Sequence, residues 1–171
     1  MNEIKLIKIV DTSDKDLQLL MEMLDGSFAT AMADCPEDEK NMPVPNGKEL
    51  MDAIDKGMEV LKIYASNQLV GASVLVINEE SGRNTVELLF ISADSKGKGI
   101  GTKVWREIEV AYPNTKVWCL GTPYFLKRNI HFYVNKCGFA ITKYYNKWNP
   151  MVMDGVSDDG DFFWFEKQMQ R

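Results

Sequence analysis

The sequence predicts a mixed α/β layer fold in which helices flank a mostly antiparallel sheet. Three strand-like runs follow one another between Glu59 and Ser92 through short polar connections, which is typical of an antiparallel meander. Ser66-Asn67-Gln68 predicts a tight hairpin turn in the first of these connections. Beyond Ser92, helical and strand-like patterns alternate. The predicted order of elements is β, α, α, β, β, β, α, β, α, β, β.

Hydrophobic spacing and turn residues assign the first half of the chain. Strands are predicted over 4–10, 59–65, 69–77 and 85–92. Ser13 followed by Asp16 resembles a capping box, and apolar residues then repeat at helical spacing over 17–28. The proline-rich stretch 34–47 predicts a loop, and a short helix is predicted over 48–55.

The second half is assigned from the same signals. A helix is predicted over roughly 99–111, ending before Pro113, and a second one over 125–137, with Gly138 as its C-terminal stop. A short buried strand is predicted over 117–120, and further strands are predicted over 139–145 and 161–166. The stretch 146–160 predicts a long mobile loop.

Composition predicts a single compact domain over 1–171, because 45% of the 171 residues are hydrophobic and 26% are charged. No apolar run approaches the ~20 residues that a membrane span needs, and the N-terminus lacks a secretory pattern. We therefore expect a cytoplasmic protein with no membrane partner. The net charge of −5 also disfavours nucleic acid as a partner.

The cysteines predict neither a disulfide framework nor a metal site. Cys35, Cys119 and Cys137 are odd in number and share no CxxC spacing. The chain has one histidine, His131, so a zinc site would have to combine it with scattered thiols. We expect reduced thiols and no bound metal.

Charge is unevenly spread along the chain. No Asp or Glu lies between Glu109 and Asp154, whereas several cations do. These cations are Lys116, Lys127, Arg128, Lys136, Lys143 and Lys147. Two interpretations stay open at this point: ordinary solvated faces, or a local field suited to a polyanionic ligand.

A strand that runs into a glycine-rich turn and then a helix is the most informative feature of the sequence. It spans 88–102, with glycines at Gly97, Gly99 and Gly101. A helix N-terminus presents unpaired N–H groups, and glycines let a phosphate approach them. Lys96 and Lys98 add positive charge. The Walker and dinucleotide-binding patterns both fail, because Thr102 stands where each needs its final glycine, which leaves a diphosphate cradle.

Two segments together resemble the GNAT acetyltransferases. Lys96-Gly97-Lys98-Gly99-Ile100-Gly101 is similar to the family's cofactor motif, with Lys96 in place of its usual Gln or Arg. The run from Arg128 to Phe139 resembles its second cofactor-contacting segment. The resemblance implies the GNAT acyl-CoA N-acyltransferase fold, with a mixed, mostly antiparallel sheet flanked by helices.

The resemblance also implies acetyl-CoA as cosubstrate and assigns residues to it. The fourth strand should bend away from its neighbour near Ile91, opening a slot whose free N–H groups bind pantetheine and the oxyanion. The implied cofactor-binding residues are Phe90, Ile91, Lys96, Gly97, Lys98, Gly99, Ile100, Gly101, Thr102 and Asn129.

Two residues are candidates for catalysis. The resemblance places Tyr133 beside the thioester sulfur, where its protonated phenol can act as an acid; a buried packing role is the alternative. Strand alternation predicts that Glu87 shares a face with Leu89 and Ile91, and Glu87 is the candidate base. A solvent-facing position or a salt bridge is the alternative for Glu87. Cys119 is an unfavoured candidate for covalent catalysis, and His131 is assigned to the surface or to packing.

The predicted function is transfer of acetyl from acetyl-CoA to a primary amine of a small molecule or peptide by direct attack; a non-catalytic acyl-CoA-binding sensor or scaffold is the alternative. A homodimer is left open. The amine is expected to enter over the N-terminal helices and the long loop, whose acids would favour a cation. These acids are Asp34, Glu37, Asp38, Glu39, Asp154, Asp158, Asp159 and Asp161. Trp148, Met151 and Met153 are expected to add an apolar wall.

Overall fold

A computed structural model of the chain describes residues 3–33, 35–37, 40, 44–153, 155–158 and 160–170. Within these residues the strands are β1 (Ile4–Lys8), β2 (Glu59–Ala65), β3 (Gln68–Val76), β4 (Arg83–Ile91), β5 (Val117–Pro123), β6 (Ala140–Tyr145), β7 (Met151–Met153), β8 (Val156–Asp158) and β9 (Phe162–Gln168). The α-helices in the same ranges are α1 (Leu17–Met32), α2 (Gly47–Asp55), α3 (Ile100–Ala111) and α4 (Lys127–His131). The predicted α/β layer fold is confirmed.

Seven of these described strands form one sheet in the order β1-β2-β3-β4-β5-β9-β6. Of the neighbouring pairs, β4 and β5 run parallel and the others antiparallel. The meander from β2 to β4 is the predicted one. It turns on Ser66 and Asn67, both with positive φ, so that Ala65 pairs with Gln68 and the turn is one residue shorter than expected.

Each face of the sheet carries its own apolar core. Leu20 and Leu24 of α1 and Leu50 of α2 pack with Leu88 and Phe90 of β4 on one face. On the other face, side chains of α3, of the segment after α4 and of the sheet form the larger core; they include Trp105, Ile108, Trp118, Tyr133 and Phe165. The sheet is therefore covered on both sides, with α1 and α2 opposite α3 and α4.

Helix α1 begins later than the capping-box prediction. Asp16 precedes its first residue but makes no capping bond with its side chain. Instead, the Asp16 carboxylate accepts hydrogen bonds from Lys62 Nζ (2.8 Å) and Tyr64 Oη (2.7 Å) on β2. The prediction was wrong because a buried lysine competes successfully for the carboxylate.

The C-terminal part differs in three ways from the prediction. The expected loop 146–160 contains the β7–β8 hairpin. The single helix expected over 125–137 is the short helix α4 followed by a π-helical turn, Phe132–Lys136, and Gly138 ends it with φ of 80° as predicted. Strand β5 extends to Pro123. No helix in the described ranges is long and apolar enough to span a membrane.

Candidate active site

The two parallel strands at the centre of the sheet separate halfway along their length. Arg83–Val86 pair with Val117–Leu120, and no pairs follow, although β4 continues to Ile91 and β5 to Pro123. Each strand stays bonded to its other neighbour, β3 for β4 and β9 for β5. The sheet therefore opens into the V-shaped slot that the resemblance implied.

A β-bulge lies at the point where the strands part. Leu75 of β3 pairs with Val86 and Val74 pairs with Leu88, so Glu87 is an extra residue in β4. A bulge bends its strand and increases the local twist, which accounts for the divergence from β5.

The same bulge overturns one geometric prediction. Strict alternation placed Glu87 on one face with Leu89 and Ile91, but these two pack in the core under α3. Glu87 instead lines a cleft on the other face with Leu88. The extra residue breaks the two-residue period, so Glu87 faces α2.

The Ile91 main chain faces the slot. Ser92 N donates to Val70 O at 2.7 Å, which makes these two residues a hydrogen-bonded pair of the β3–β4 ladder. The next pair, Gly71 with Ile91, is then a non-bonded pair, because bonded and non-bonded pairs alternate in an antiparallel ladder. The N–H and C=O groups of Ile91 consequently point away from β3, to the side that β5 has left.

The glycine-rich turn presents a helix N-terminus beside this slot. Gly97 and Gly99 have φ of 79° and 71°, values that favour glycine, and a Cβ built on either would meet no atom within 4 Å. Gly99 precedes α3, and the first N–H to bond back is that of Lys103, to Gly99 O at 3.4 Å. The N–H groups from Ile100 to Thr102 therefore have no partner within the helix.

Some predicted cofactor-binding residues are buried or packed, so that their side chains serve the fold. Phe90 and Ile100 are each 4% exposed and belong to the two cores. A Cβ on Gly101 would lie 3.1 Å from the Phe132 ring, so this glycine lets α3 pack against the segment after α4. Their side chains are therefore not available to a ligand. The main chain of Phe90 is not available either, because Phe90 and Ala72 of β3 are the next hydrogen-bonded pair of the ladder, which counts against the prediction that Phe90 binds the cofactor.

The Lys96 side chain points to α1. Its ammonium donates to Ser27 O at 3.3 Å. Partial burial and the neighbouring charge of Arg128 lower the pKa of Lys96. Arg128 on α4 thus lies near the glycine-rich turn, and the exposed Lys98 adds a third cation.

Asn129 connects α4 to the end of β5. Its amide nitrogen lies 3.5 Å from the hydroxyl of Thr122, which is 2% exposed. Asn129 is the third residue of α4 and half-buried, so this contact holds α4 at the edge of the slot.

Tyr133 is 8% exposed and lies in the π-helical turn after α4. Its ring packs against Phe132, Phe139 and Phe165 at centroid distances of 5.0, 5.6 and 6.1 Å. Burial, and to a lesser degree the nearby Cys137 thiol, raise the pKa of Tyr133, so the phenol stays protonated at neutral pH.

Glu87 is exposed, as its alternative assignment expected, and it faces an open cleft of about 260 Å³ between α2 and β4. Two more carboxylates line it, Glu49 and Asp52, with Lys56 as the opposing charge. Apolar wall is supplied by Ala53, Met58, Val74 and Leu88. Desolvation raises the pKa values of both Glu87 and Glu49.

The alternative catalytic residues lie in unsuitable surroundings. Cys119 is 3% exposed, and burial is the main cause that raises the pKa of its thiol, although Arg83 Nη2 lies 3.2 Å from its sulfur. His131 is on the surface, where its Nδ1 lies 2.9 Å from the Asn135 amide. The described residues include no group of three His, Cys, Asp or Glu that could hold a metal ion.

The predicted acidic entrance is only partly described. Glu37 is exposed and ion-paired with Lys40, and Asp161 accepts a hydrogen bond from Tyr144 at 2.9 Å. Asp158 is exposed on β8. Asp34, Asp38, Glu39, Asp154, Asp159 and the Met153 side chain lie outside the described residues. Trp148 is 82% exposed under the Lys147 ammonium, while Met151 is half-buried.

Sequence reasoning missed Ser27 and the carboxylates Glu49 and Asp52. Ser27 occupies a buried position three residues after Leu24, on the apolar stripe of α1. A polar residue at a core position of a helix was the available signal. Nothing in the sequence placed Glu49 or Asp52 beside Glu87, because that proximity depends on how α2 packs against β4.

Comparison with known proteins identifies the family. The model of the Acetyltransferase (GNAT) family matches residues 21–139, more than half of the chain. This chain belongs to the GNAT acetyltransferase family. It is also 36% identical, over 168 residues, to the uncharacterized protein YrkN of Bacillus subtilis strain 168, with 92% of this chain and 91% of that protein covered.

Solved GNAT structures share the fold at low sequence identity. PaiA N-acetyltransferase from Thermoplasma acidophilum, solved with coenzyme A, is 18% identical with a TM-score of 0.69, over 98% of this chain and 99% of that one. Spermidine N-acetyltransferase from Vibrio cholerae, solved with CoA and spermine, is 15% identical with a TM-score of 0.68, over 96% and 95% of the two chains.

Proposed function

We propose that this GNAT protein is an N-acetyltransferase that moves the acetyl group of acetyl-CoA to a primary amine of a small molecule or peptide by direct attack. The observation that carries the proposal is the slot between β4 and β5, which opens beside the glycine-rich turn at the start of α3. Structural relatives solved with coenzyme A support the choice of donor.

The residues around the slot fit coenzyme A. Open space lies over Gly97 and Gly99, where any Cβ would project, and N–H groups of α3 without helix partners follow. A diphosphate needs such donors and nearby cations. Lys98 and Arg128 are exposed cations on the turn and on α4. The main chain of 96–102 would therefore hold the diphosphate, with Arg128 as an added cation.

The slot also supplies a donor where negative charge develops. Bound acetyl-CoA supplies an activated acetyl thioester, and attack by an amine puts charge on its carbonyl oxygen. The Ile91 N–H points into the slot and has no strand partner there. A fixed main-chain donor of this kind stabilises an oxyanion without reorganising during the reaction.

Tyr133 is the proposed acid. The buried phenol keeps its proton because burial raises its pKa, so it can donate to the departing thiolate. Its rotation is restricted by three aromatic neighbours. The ring therefore serves the core and holds the hydroxyl in one orientation.

Glu87 is the proposed base. An alkylamine of pKa near ~10 is protonated at neutral pH and must lose a proton before it attacks. The bulge turns Glu87 into the cleft under α2, where desolvation raises its pKa above the ordinary value of a glutamate. Together with Glu49 and Asp52 it gives the cleft an excess of negative charge, which favours a cationic amine.

An amine panel tests the proposal. Acetyl-CoA is incubated with the protein and, separately, spermidine, an aminoglycoside, lysine and a peptide with a free N-terminus, and free thiol is measured. We expect at least one amine to release thiol faster than the protein without amine, with an acetylated product by mass spectrometry. Tight binding of acetyl-CoA with no thiol released by any amine would favour the non-catalytic binding module instead.

A further inference from the structure

Ser27 makes two contacts that join α1 to the slot. Its hydroxyl donates to Ile91 O at 3.1 Å, and its own carbonyl accepts the Lys96 ammonium at 3.3 Å. Ser27 is 5% exposed and lies 64 residues from Ile91 along the chain. One residue of α1 therefore contacts both the end of β4 and the start of the glycine-rich turn.

The hydroxyl acts on the peptide group that ends β4. This group joins Ile91 to Ser92, and its N–H is already bonded to Val70 O at 2.7 Å. In a trans peptide the carbonyl points the opposite way, so the Ile91 oxygen faces the slot. β3 therefore binds the N–H of this peptide group, and Ser27 binds its carbonyl oxygen.

The Ile91 carbonyl has an unfavourable position unless it is bonded. Successive main-chain groups of a strand residue point to the same side, so the Ile91 oxygen lies on the same side as the Ile91 N–H. A bare carbonyl oxygen there would repel the oxygen that becomes negative during acetyl transfer. The Ser27 hydroxyl donates a hydrogen bond to this carbonyl, so the Ile91 N–H is the main-chain group that stays available to a ligand.

We propose that Ser27 is a positioning residue for acetyl transfer: its bond to the Ile91 carbonyl aims the Ile91 N–H at the reacting carbonyl. The proposal rests on the proposed function, because it assumes that the Ile91 N–H is the oxyanion donor. Ser27 itself contacts neither the donor nor the amine.

Ser73 provides a matched control on the neighbouring strand. It is fully buried and its hydroxyl donates to Leu88 O at 3.0 Å, so it makes the same kind of bond to the same strand, before the strand reaches Ile91. Ser27→Ala and Ser73→Ala each remove one buried hydroxyl that serves a carbonyl of β4. Ser27→Ala affects the carbonyl of Ile91, the residue whose N–H is the proposed oxyanion donor. Ser73→Ala affects the carbonyl of Leu88, three residues earlier.

The kinetic test uses the panel amine with the highest wild-type turnover. In Ser27→Ala we expect kcat to fall about tenfold, since small misplacement of a catalytic group costs one or two orders of magnitude. The KM for acetyl-CoA should stay within about twofold, because the Lys96 bond uses the Ser27 main chain. Ser27→Thr should restore most of the rate, and Ser73→Ala should keep kcat within about twofold of wild type. Equal losses in Ser27→Ala and Ser73→Ala would overturn the proposal, as would an unchanged kcat in Ser27→Ala.

Ser27→Cys answers the same question if alanine does not fold. It fills nearly the same volume with a weak donor, so kcat should again fall while the melting temperature stays close to that of wild type. A folded cysteine variant with wild-type kcat would contradict the positioning role.

A spectroscopic readout needs no acceptor amine and separates this proposal from the proposed function. The amide resonance of Ile91 should shift when acetyl-CoA is added to the ¹⁵N-labelled protein, and the shift should be reduced in Ser27→Ala but kept in Ser73→Ala. That result supports the positioning role even if no panel amine is acetylated. An Ile91 resonance unmoved by bound acetyl-CoA in the wild type would refute it.

Discussion

At the scale of single residues, the two candidate catalytic groups differ in exposure, since Tyr133 is buried and Glu87 is exposed. Tyr133 lies among aromatic rings, and Glu87 lies in a cleft between α2 and a bulged strand. Desolvation disfavours the charged form of each, so it raises both pKa values. The phenol consequently remains protonated at neutral pH, and the pKa of the carboxylate lies above that of an ordinary glutamate.

Tyr133→Phe should lower turnover without weakening the binding of acetyl-CoA. Removing the hydroxyl deletes the proton donor and leaves the ring packing, so we expect kcat to fall about 10- to 100-fold and the Kd of acetyl-CoA to change little. Steady-state kinetics and calorimetry measure the two quantities. The matched control is Tyr144→Phe, which removes a hydroxyl bonded to Asp161 on the surface. Normal turnover in Tyr133→Phe would remove this residue from the mechanism.

Glu87→Gln should remove the acid limb of the pH profile. Protonated Glu87 cannot accept a proton, so wild-type kcat/KM falls as the pH drops through a pKa raised above that of an ordinary carboxyl group. Deprotonation of the amine substrate gives a separate rise in kcat/KM at higher pH. The variant should be about tenfold slower or worse near neutral pH, without that limb. Glu49→Gln, in the same cleft, should keep the limb. An unchanged profile in Glu87→Gln would assign the base elsewhere.

At the scale of elements, the glycine-rich turn and α3 form the proposed binding site for the diphosphate. Gly99→Asp places a carboxylate in the open space over the turn, where it would face the phosphates. Repulsion between like charges at about 4 Å is large enough to weaken CoA binding at least about tenfold. Calorimetry with CoA measures the loss.

Gly57→Asp is the control for backbone strain. Gly57 ends α2 with φ of 73°, and a Cβ there also meets no atom within 4 Å. Both variants therefore force an aspartate into the left-handed region, but only Gly99 lies at the turn. Comparable weakening in both would show that strain, and not the phosphate contact, is responsible.

The start of α1 depends on a buried ion cluster. Lys62 of β2, 6% exposed, bonds Asp14 and Asp16, and Tyr64 also donates to Asp16. Lys62→Met leaves two carboxylates without a cation, and we expect urea denaturation to show a loss of about 2 kcal/mol. Lys8→Met breaks the exposed pair with Glu59 and should cost less than about 1 kcal/mol. Equal costs would mean that the cluster contributes no more than a surface pair.

The local sequence pattern predicted most of the helix and strand bounds. It did not predict features that depend on contacts between residues distant in the chain. The period of apolar residues defined β2 to its end residues and α3 to within one residue. The bulge at Glu87 has no signature in the sequence, because it arises from the register in which β4 pairs with β3. The carboxylate of Asp16 does not cap α1 because it binds Lys62 instead. That contact could not be predicted from local sequence, since the two residues are 46 positions apart in the chain.

At the scale of the whole molecule, the slot divides the sheet into two halves that a ligand can bridge. One half is β1 to β4 with α1 and α2, and the other is β5, β9 and β6 with α4. Lys96, which contacts α1, belongs to the first half, and the exposed Arg128 of α4 belongs to the second. A ligand in the slot should therefore stabilise the protein as well as take part in the reaction.

A crystal structure of the protein with acetyl-CoA tests the central claim most directly. We predict that the diphosphate accepts hydrogen bonds from main-chain N–H groups within 96–102, and that the thioester carbonyl lies about 3 Å from Ile91 N, between β4 and β5. Acetyl-CoA bound elsewhere, with the slot closed or filled by side chains, would contradict the account.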